Sequence, residues 1–593
     1  MRLIRDIWSI LTASQRRRVI ATQVISVLMA FSTLVGVASI APFFAVLGDP
    51  DLIARHRLIY WLYVRGGFHG VHAFEFALGG GFIALVLAAN LMNAAGLLLL
   101  RRLALGIGNE LQAALFEEYL DRPYLFHSGT NSATLLHNVV YEVGRLNNGI
   151  LQNGLILVTQ LVTGSLIVLT VLLLDPLLAV AMLLTLGGGY LMIYLGVRAR
   201  LLRLGHTHAR AWSERSRAAA ESFSAIREIL LLEDRRVFLE RFARASEQAA
   251  RTTAYTQVVA QLPKHVMESF GAAALVAAAL VFSARAGGMG GSLGELTFVA
   301  FAAYRLLPIL QQIFFSCVEI RADTPGFELI APDLRAASAA QRRVRQPSAG
   351  VAGGWRGRPD AEIFLDGVSF RYSPQGPQAL AGITARIPAR STVGIVGANG
   401  SGKTTLMDVI AGLLVPDEGA VWVDGTRLDE SNRKPWRTTI AYVPQTLVLL
   451  DASIAENIAF GEPLWRIDRR RVAEAARAAQ LEELIAGLPE GYQHRIGERG
   501  IRLSGGQRQR IGIARALYRQ ASVLMLDEAT SALDGMTESE LMLALARLRG
   551  SCTILLIAHQ PGTLRACDEI LHLHAGRLTE VRSGERAHHR AGI

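Results

Sequence analysis

Six long stretches that are nearly free of charge lie in the chain up to Val318, and they constrain the fold more than any other feature. Each stretch has about the 20 residues that a helix needs to cross the hydrocarbon core of a bilayer. The sequence therefore predicts an N-terminal α-helical membrane domain. Its six spans are expected at residues 19–47, 77–100, 146–174, 177–197, 265–284 and 296–318.

The net charge of +11 lies almost entirely in this half of the chain, because residues 1–360 account for ten of the eleven charges. A nucleic-acid-binding ATPase would be basic around its nucleotide domain, so no nucleic-acid partner is predicted. Arginines are frequent at residues 16–18, 101–102 and 198–251, and the alternate loops carry few. The positive-inside rule then places the N-terminus and these loops in the cytoplasm.

The composition changes after residue 330, where the long apolar runs end. Residues 331–360 are rich in Arg, Gly and Pro, which is typical of a solvated linker. From residue 361, apolar strand-like runs alternate with helical segments, as in an α/β nucleotide-binding domain. We therefore predict a six-helix transmembrane domain with cytosolic coupling loops at 1–330, a linker at 331–360 and an α/β nucleotide-binding domain at 361–593.

The segment GANGSGKT at 397–404 matches the P-loop pattern, and it follows a strand-like run and precedes a helix-like one. Glycines at this spacing let backbone amides close around phosphates, and a helix N-terminus adds positive potential. Lys403 is one of only three lysines among 61 basic residues, which favours a required point charge at this position. The predicted nucleotide-binding residues of this segment are Gly397, Ala398, Asn399, Gly400, Ser401, Gly402, Lys403, Thr404 and Thr405.

A second acidic motif, VLMLDEATSALD at 523–534, places two carboxylates at the end of an apolar strand. Asp527 is placed to hold magnesium together with the hydroxyl of Thr404. Glu528 is placed to polarise an attacking water molecule. A pair of surface carboxylates is the alternative, but it explains poorly why the pair follows four apolar residues.

A third motif lies between these two. The segment LSGGQ at 503–507 puts a serine and two glycines ahead of a helix, which creates a second helix N-terminus suited to an anion. One domain thus has one P-loop and two phosphate-binding ends. The residues concerned are Leu503, Ser504, Gly505, Gly506 and Gln507.

With these three motifs, the chain resembles ATP-binding cassette (ABC) transporters of the type IV exporter class, whose cofactors are ATP and Mg²⁺. The resemblance implies that Tyr372 stacks on adenine, that Gln445 contacts magnesium and the attacking water, that Asp534 lies in the D-loop and that His559 contacts the terminal phosphate. In that family the LSGGQ segment of one subunit closes over the P-loop of the other. A chain with a single cassette is therefore expected to work as a homodimer, although a heterodimer with another chain is also compatible.

The last two predicted spans contain charged and polar residues, which are costly in a bilayer unless they contact protein, water or a ligand. Arg305 shares a helical stripe with Gln312, Ser316 and Glu319, and Lys264 lies one turn before Glu268. Lys264 and Arg305 are the candidate substrate-binding cations, placed to attract an anionic headgroup. Span 3 has a similar stripe of Asn148, Gln152 and Thr159. Two interpretations remain open, a water-accessible cavity or hydrogen bonds that hold the helices together.

Short segments of spans 1, 5 and 6 resemble bacterial lipid-linked oligosaccharide flippases of the inner membrane, as does the aromatic segment RHRLIYWLYVR at 55–65. The resemblance implies an ATP-hydrolysing translocase that flips an anionic lipid, such as a polyprenyl-diphosphate oligosaccharide. Span 2 departs from it, because that span carries no cation in this chain. Two alternatives are an exporter of peptides or hydrophobic small molecules, and an ATP-gated channel or regulatory protein.

Overall fold

The computed structural model describes residues 2–48, 50–174, 176, 179–180, 183–232, 234–284, 293–344, 359–529, 542–543, 545–558 and 561–583. Contacts between Cα atoms divide the chain into two compact units. The membrane unit comprises Met1–Arg122 and Thr130–Gly350, and the nucleotide-binding unit comprises Val351–Ile593 together with the short segment Pro123–Gly129.

The membrane unit is built from helices, since its sequence consists of long apolar runs joined by Ala-, Arg- and Glu-rich segments that favour helix. Three segments adopt π-helical turns, at Asn138–Glu142, Leu146–Leu151 and Leu183–Gly187. The α-helices up to residue 344 follow in chain order, and they include the short α7, which groups with the nucleotide-binding unit. They are α1 (Arg2–Ile10), α2 (Ala13–Ala38), α3 (Ile40–Gly48), α4 (Leu52–Arg55), α5 (Arg57–Arg65), α6 (Val71–Asp121), α7 (Tyr124–Gly129), α8 (Ser132–His137), α9 (Val143–Arg145), α10 (Gln152–Leu174), α11 (Gly188–Ser224), α12 (Ile226–Leu231), α13 (Arg236–Ala284) and α14 (Leu293–Val344).

Among the described residues, three helical stretches are long and apolar enough to cross a membrane, at Ala13–Leu47, Val71–Asp121 and Ser132–Leu173. They contain the first three predicted spans. The predicted spans at 265–284 and 296–318 lie within α13 and α14. The predicted span at 177–197 falls partly outside the described residues.

One boundary differs from the sequence predictions. Helix α14 continues to Val344, so the first part of the predicted linker is helical, since the segment is rich in Ala, Arg and Gln. The charged segment between spans 4 and 5 is expected to form helices that extend into the cytosol, and α11 runs without interruption through its residues 211–219. The chain leaves this helix only at Ala225, where the backbone dihedrals depart from helical values, and the turn contains α12.

The nucleotide-binding unit contains two sheets. A four-stranded antiparallel sheet has the order β2-β1-β4-β5, and a six-stranded sheet has the order β10-β9-β3-β8-β7-β6, in which β10 is antiparallel and the other pairs are parallel. The strands are β1 (Glu362–Arg371), β2 (Gln378–Pro388), β3 (Thr392–Gly397), β4 (Glu418–Val423), β5 (Thr426–Arg427), β6 (Ile440–Val443), β7 (Val523–Asp527), β8 (Thr553–Ile557), β9 (Glu569–His574) and β10 (Arg577–Ser583).

Strands β3, β6, β7 and β8 are apolar along most of their length because both faces of the parallel sheet are covered. Ligands of such sheets bind beyond the carboxyl ends of the strands, and the predicted motifs follow β3, β6, β7 and β8. The α-helices of this unit are α15 (Lys403–Ile410), α16 (Arg433–Thr438), α17 (Ile454–Ile458), α18 (Arg469–Ala478), α19 (Glu482–Ala486), α20 (Gly505–Tyr518) and α21 (Pro561–Leu564).

Candidate functional site: a nucleotide cradle and an inner cavity

The P-loop leaves the end of β3 and enters α15. Gly400 and Gly402 have φ values of 79° and 99°, a left-handed conformation that glycine adopts without a steric penalty. A Cβ atom at Gly402 would also lie 2.6 Å from the carbonyl oxygen of Ala379. The loop therefore needs glycine at this position both for its backbone conformation and for its close packing.

Lys403 lies at the start of α15 and is 7% exposed. Its ammonium group donates hydrogen bonds to the carbonyl oxygens of Gly397 and Ala398, at 2.8 and 3.1 Å. The hydroxyl of Ser401 is buried and has no hydrogen-bond partner in the described part of the chain. A buried cation that is hydrogen-bonded to two backbone carbonyls and an unsatisfied hydroxyl, both beside a helix N-terminus, fit the phosphates of a nucleotide.

Asp527 ends β7 and is buried beside the P-loop helix. Its carboxylate accepts hydrogen bonds from the hydroxyls of Thr404 and of Tyr442, the latter at 3.1 Å. Burial raises the pKa of Asp527, and these hydrogen bonds oppose the increase. Burial and the charge of Asp527 raise the pKa of Asp408 to about 6. The oxygen donors of Thr404 and Asp527, in a region that disfavours further negative charge, fit a magnesium ion.

Glu528 follows Asp527 and has a φ of 49°, which is unusual for a residue with a side chain. The carboxylate of Glu528 accepts a hydrogen bond of 2.7 Å from the side-chain amide of Gln445, which follows β6. Strained backbone of this kind is concentrated at functional sites. Two of the three predicted catalytic residues, Gln445 and Glu528, therefore come together at the carboxyl ends of adjacent strands.

Tyr372 lies just beyond β1, and its side chain is 47% exposed. Its hydroxyl is 3.0 Å from the hydroxyl of Thr405, and its ring contacts the ring of Phe370 edge-on. These two contacts fix the ring while leaving a large part of it accessible. The arrangement is suited to stacking on a base, as the sequence prediction requires.

Ser504 caps the N-terminus of α20. Its hydroxyl accepts a hydrogen bond from the backbone amide of Gln507 at 3.2 Å, and the Gln507 side chain accepts one from the backbone amide of Ser504 at 2.9 Å. Leu503 is buried ahead of this cap. The predicted residues Gly505 and Gly506 form the first turn of α20. The predicted residues Asp534 and His559 lie outside the described residues.

In the membrane unit, the two predicted substrate cations occupy different helices. The Lys264 ammonium lies 3.9 Å from the Glu268 carboxylate, so the ion pair expected within this helix is present. Both side chains are about half exposed, at 43% and 52%. Arg305 is half-buried on α14, three residues before Pro308.

A cavity of about 690 Å³, called the inner cavity here, lies where α14 meets the region from the π-helical turns to the start of α10. Four residues of the two predicted polar stripes line it, namely Asn148, Gln152, Gln312 and Glu319. The candidate cations Lys264 and Arg305 are not among its lining residues. Sequence analysis did not predict its other polar lining residues, which include Arg101, Tyr141, Arg145 and Asp323.

Two other residues of the stripes, Thr159 and Ser316, do not line the cavity. The hydroxyl oxygens of Thr159 and Ser26 are 2.7 Å apart, within hydrogen-bonding distance between α10 and α2. Ser316 is completely buried on α14. The polar stripes therefore supply four residues to the inner cavity, and Thr159 to a hydrogen bond between two helices.

An ionic cluster next to the inner cavity was missed by sequence analysis. Arg145 forms ion pairs with Glu142 at 3.1 Å and with Asp323 on α14 at 2.6 Å. Glu142 also lies 3.1 Å from the ring of His137. The Glu142 and His137 side chains are 1% and 4% exposed. The sequence did contain a signal, because charged residues on apolar helices require partners of opposite charge. Which residues pair with one another depends on how the helices pack.

Two family models match this chain, "ABC transporter transmembrane region" over residues 18–308 and "ABC transporter" over residues 380–531. The chain is 31% identical over 517 residues to an ATP-dependent lipid A-core flippase from Cupriavidus metallidurans, covering 84% of this chain and 82% of that protein. The chain belongs to the ABC transporter family. A second protein of the same name, from Chromobacterium violaceum, is 44% identical over 37% of each chain.

The fold of the transporter is also that of a solved structure described as a bacterial Atm1-family ABC exporter with ATP bound. The two superpose with a TM-score of 0.74 over 98% of each chain, at 22% identity. The predicted fold class is thus confirmed, a helical ABC membrane domain followed by an α/β ATPase domain. The transporter is an ATP-binding, ATP-hydrolysing exporter in a membrane.

Proposed function

We propose that this transporter is a homodimeric flippase that uses ATP to move an anionic lipid-linked substrate, a polyprenyl-diphosphate oligosaccharide, across the bacterial inner membrane. The observation that carries the proposal is its similarity over most of its length to proteins named lipid A-core flippases. The polar inner cavity within an otherwise apolar helical unit adds support, because a hydrophilic headgroup needs such a space in order to cross a bilayer.

In this proposal, Lys403, Ser401 and the P-loop amides hold the phosphates of ATP. Thr404, Asp527 and Gln445 hold Mg²⁺, which neutralises charge on the phosphates and favours phosphoryl transfer. Glu528 accepts a proton from the attacking water, and Gln445 orients the Glu528 carboxylate through the hydrogen bond between them. The residues outside the described part of the chain, Asp534 and His559, complete the site as the family resemblance implies.

The homodimer follows from the number of motifs. Each chain has one P-loop and one LSGGQ segment. Ser504 caps the amide of Gln507, and the remaining amides at the N-terminus of α20 can donate hydrogen bonds to a phosphate. Two copies supply two composite sites. The cytoplasmic position of both the N-terminus and the ATPase domain follows from the arginine-rich loops.

Coupling between the two units is assigned to the cytosolic turns. The short helix α7 groups with the nucleotide-binding unit, although the chain on both sides of it belongs to the membrane unit. Burial raises the pKa of Tyr124 in this helix, and the charges of Asp408 and Tyr372 add to the effect, so Tyr124 lies near two residues of the nucleotide site. In this proposal, α7 transmits a movement at the nucleotide site to α6 and α8, the helices that precede and follow it in the chain.

Flipping assays in proteoliposomes test the function. We expect ATP-dependent translocation of a fluorescent polyprenyl-diphosphate oligosaccharide, and none of a peptide or a hydrophobic dye. Translocation of lipid A-core alone would support lipid flipping but contradict the proposed substrate. Transport of the peptide alone would contradict the proposal as a whole. Arg305→Ala should weaken lipid-stimulated ATP hydrolysis about tenfold and leave basal hydrolysis within about twofold, because the lost cation contacts the anion and not ATP.

A further inference from the structure

Four of the nine polar or ionisable residues that line the inner cavity are carboxamides. Asn148 and Gln152 come from the π-helical turn and the start of α10, and Gln312 comes from α14. Within the described part of the chain, none of these three side-chain amides takes part in a hydrogen bond. By contrast, the neighbouring amide of Asn153 donates to the backbone carbonyls of Asn148 and Gly149, at 3.0 and 3.1 Å. The cavity wall thus presents three amides that are available to a ligand.

The wall has no excess of basic over acidic residues. The ionisable residues that line the cavity are Arg101, Arg145, Glu319 and Asp323, two basic and two acidic. Arg145 is already paired with Glu142 and Asp323. A diphosphate would gain little from such a wall, since phosphate sites use an excess of cationic donors. The cavity is therefore better suited to an uncharged polar group.

Carboxamides differ from cations in their hydrogen-bonding capacity. Each amide both donates and accepts, as does each hydroxyl or N-acetyl group of a sugar. The rings of Tyr141 and Phe315 also line the cavity, and they offer apolar surface beside the amides. Pockets that combine apolar surface with a few polar groups of fixed position are typical of small-molecule recognition.

The cavity is also at a suitable distance from the proposed anion site. Gln312 follows Arg305 by seven residues on α14, which places it two turns away on the same face, about 10 Å along the helix axis. A headgroup whose phosphates lie at Arg305 could place its first sugars at Gln312. The two positions would then recognise different parts of one molecule.

We propose that the inner cavity is a sugar-binding site in which Asn148, Gln152 and Gln312 recognise the hydroxyl and N-acetyl groups of the glycan headgroup. This inference rests on the proposed function for its biological meaning, because that function supplies a substrate with a glycan. The binding itself requires only the cavity.

The test compares the transporter in nanodiscs with the double variant Gln152→Leu, Gln312→Leu, which keeps the side-chain volume and removes the amides. Gln160→Leu, on α10 but outside the cavity lining, is the matched control. Thermal unfolding midpoints within a few degrees of one another establish that the variants are folded. Saturation-transfer NMR with a soluble N-acetylglucosamine pentasaccharide measures binding without any lipid. We expect a signal with the unmodified protein and the control, and its loss in the double variant.

The second measurement is lipid-stimulated ATPase activity with undecaprenyl diphosphate, with and without the attached oligosaccharide. The double variant should raise the half-saturating concentration of the sugar-bearing lipid about tenfold and leave that of the sugar-free lipid unchanged, as expected for two lost hydrogen bonds. Equal weakening for both lipids, or no saccharide signal with the unmodified protein, would overturn the sugar site. A saccharide signal without stimulation by either lipid would support the site and refute the proposed cargo.

Discussion

The nucleotide-binding unit and the membrane unit of this transporter place their functional groups in different ways. In the nucleotide-binding unit, the groups follow the carboxyl ends of neighbouring strands, and much of the P-loop is made of backbone atoms fixed by Gly400 and Gly402. In the membrane unit, the groups are side chains on separate helices. Their surroundings depend on where those helices cross.

The difference appears in how polar residues are used. Gln445 and Glu528 are brought together by adjacent parallel strands, whose register fixes the distance between them. The hydroxyl of Thr159 and the amide of Gln152 lie on one helix seven residues apart, and yet one contacts Ser26 and the other lines the inner cavity. Helices that cross at an angle separate along their length, so one polar stripe serves both packing and ligand access.

The largest expected effect is on ATP hydrolysis. Glu528→Gln should lower the turnover rate of ATP hydrolysis about 10²- to 10⁴-fold, because glutamine has nearly the same shape as glutamate but cannot accept a proton from the attacking water. Steady-state phosphate release measures the rate, and binding of a fluorescent ATP analogue should be unchanged. Glu490→Gln, at an exposed position of the same unit, should retain full activity. If transport persisted in Glu528→Gln with ATP merely bound, the nucleotide-binding unit would be a sensor.

The next effect concerns stability of the membrane unit. Arg145→Ala should lower the free energy of unfolding by about 3–5 kcal/mol, because the buried Glu142 and the partly buried Asp323 would both lose this partner. Thermal unfolding in detergent, followed by intrinsic fluorescence, measures the change. Arg101→Ala removes an exposed arginine from the same cavity and should leave the midpoint nearly unchanged. Similar midpoints for both variants would show that the ionic cluster does not stabilise the fold.

The sequence predicted the nucleotide site in more detail than the membrane site. The P-loop residues are consecutive, and their function depends on local backbone conformation, so the motif contains the information. The pairing of Arg145 with Asp323 joins residues far apart on different helices, and two π-helical turns flank Arg145. A π turn adds one residue to the helical period and rotates every later side chain, so faces predicted with a period of 3.6 shift. The cluster could not be predicted for this reason.

A glycine substitution probes the same cluster from the backbone. A Cβ atom at Gly149 would collide with the Asp323 carboxylate, whereas one at Gly154 would meet no atom within 4 Å. Gly149→Ala should therefore destabilise the membrane unit by about 2 kcal/mol. Gly154→Ala should be neutral or slightly stabilising, since alanine favours helix. Thermal unfolding midpoints of the two variants measure the difference. Equal midpoints would contradict the prediction and mean that α14 shifts to accommodate the added methyl group.

The smallest expected effect tests whether Thr159 serves packing alone. Thr159→Val removes the hydroxyl that lies 2.7 Å from Ser26 and keeps the shape of the side chain, so it should cost about 1 kcal/mol of stability. Thr163→Val, which removes only a bond to the carbonyl of its own helix, should cost less. Neither variant should change lipid-stimulated ATP hydrolysis by more than about twofold, because Thr159 does not line the inner cavity. A larger loss of stimulation in Thr159→Val alone would instead assign this hydroxyl to the path of the substrate, and the division of the polar stripe between packing and cavity would then be wrong.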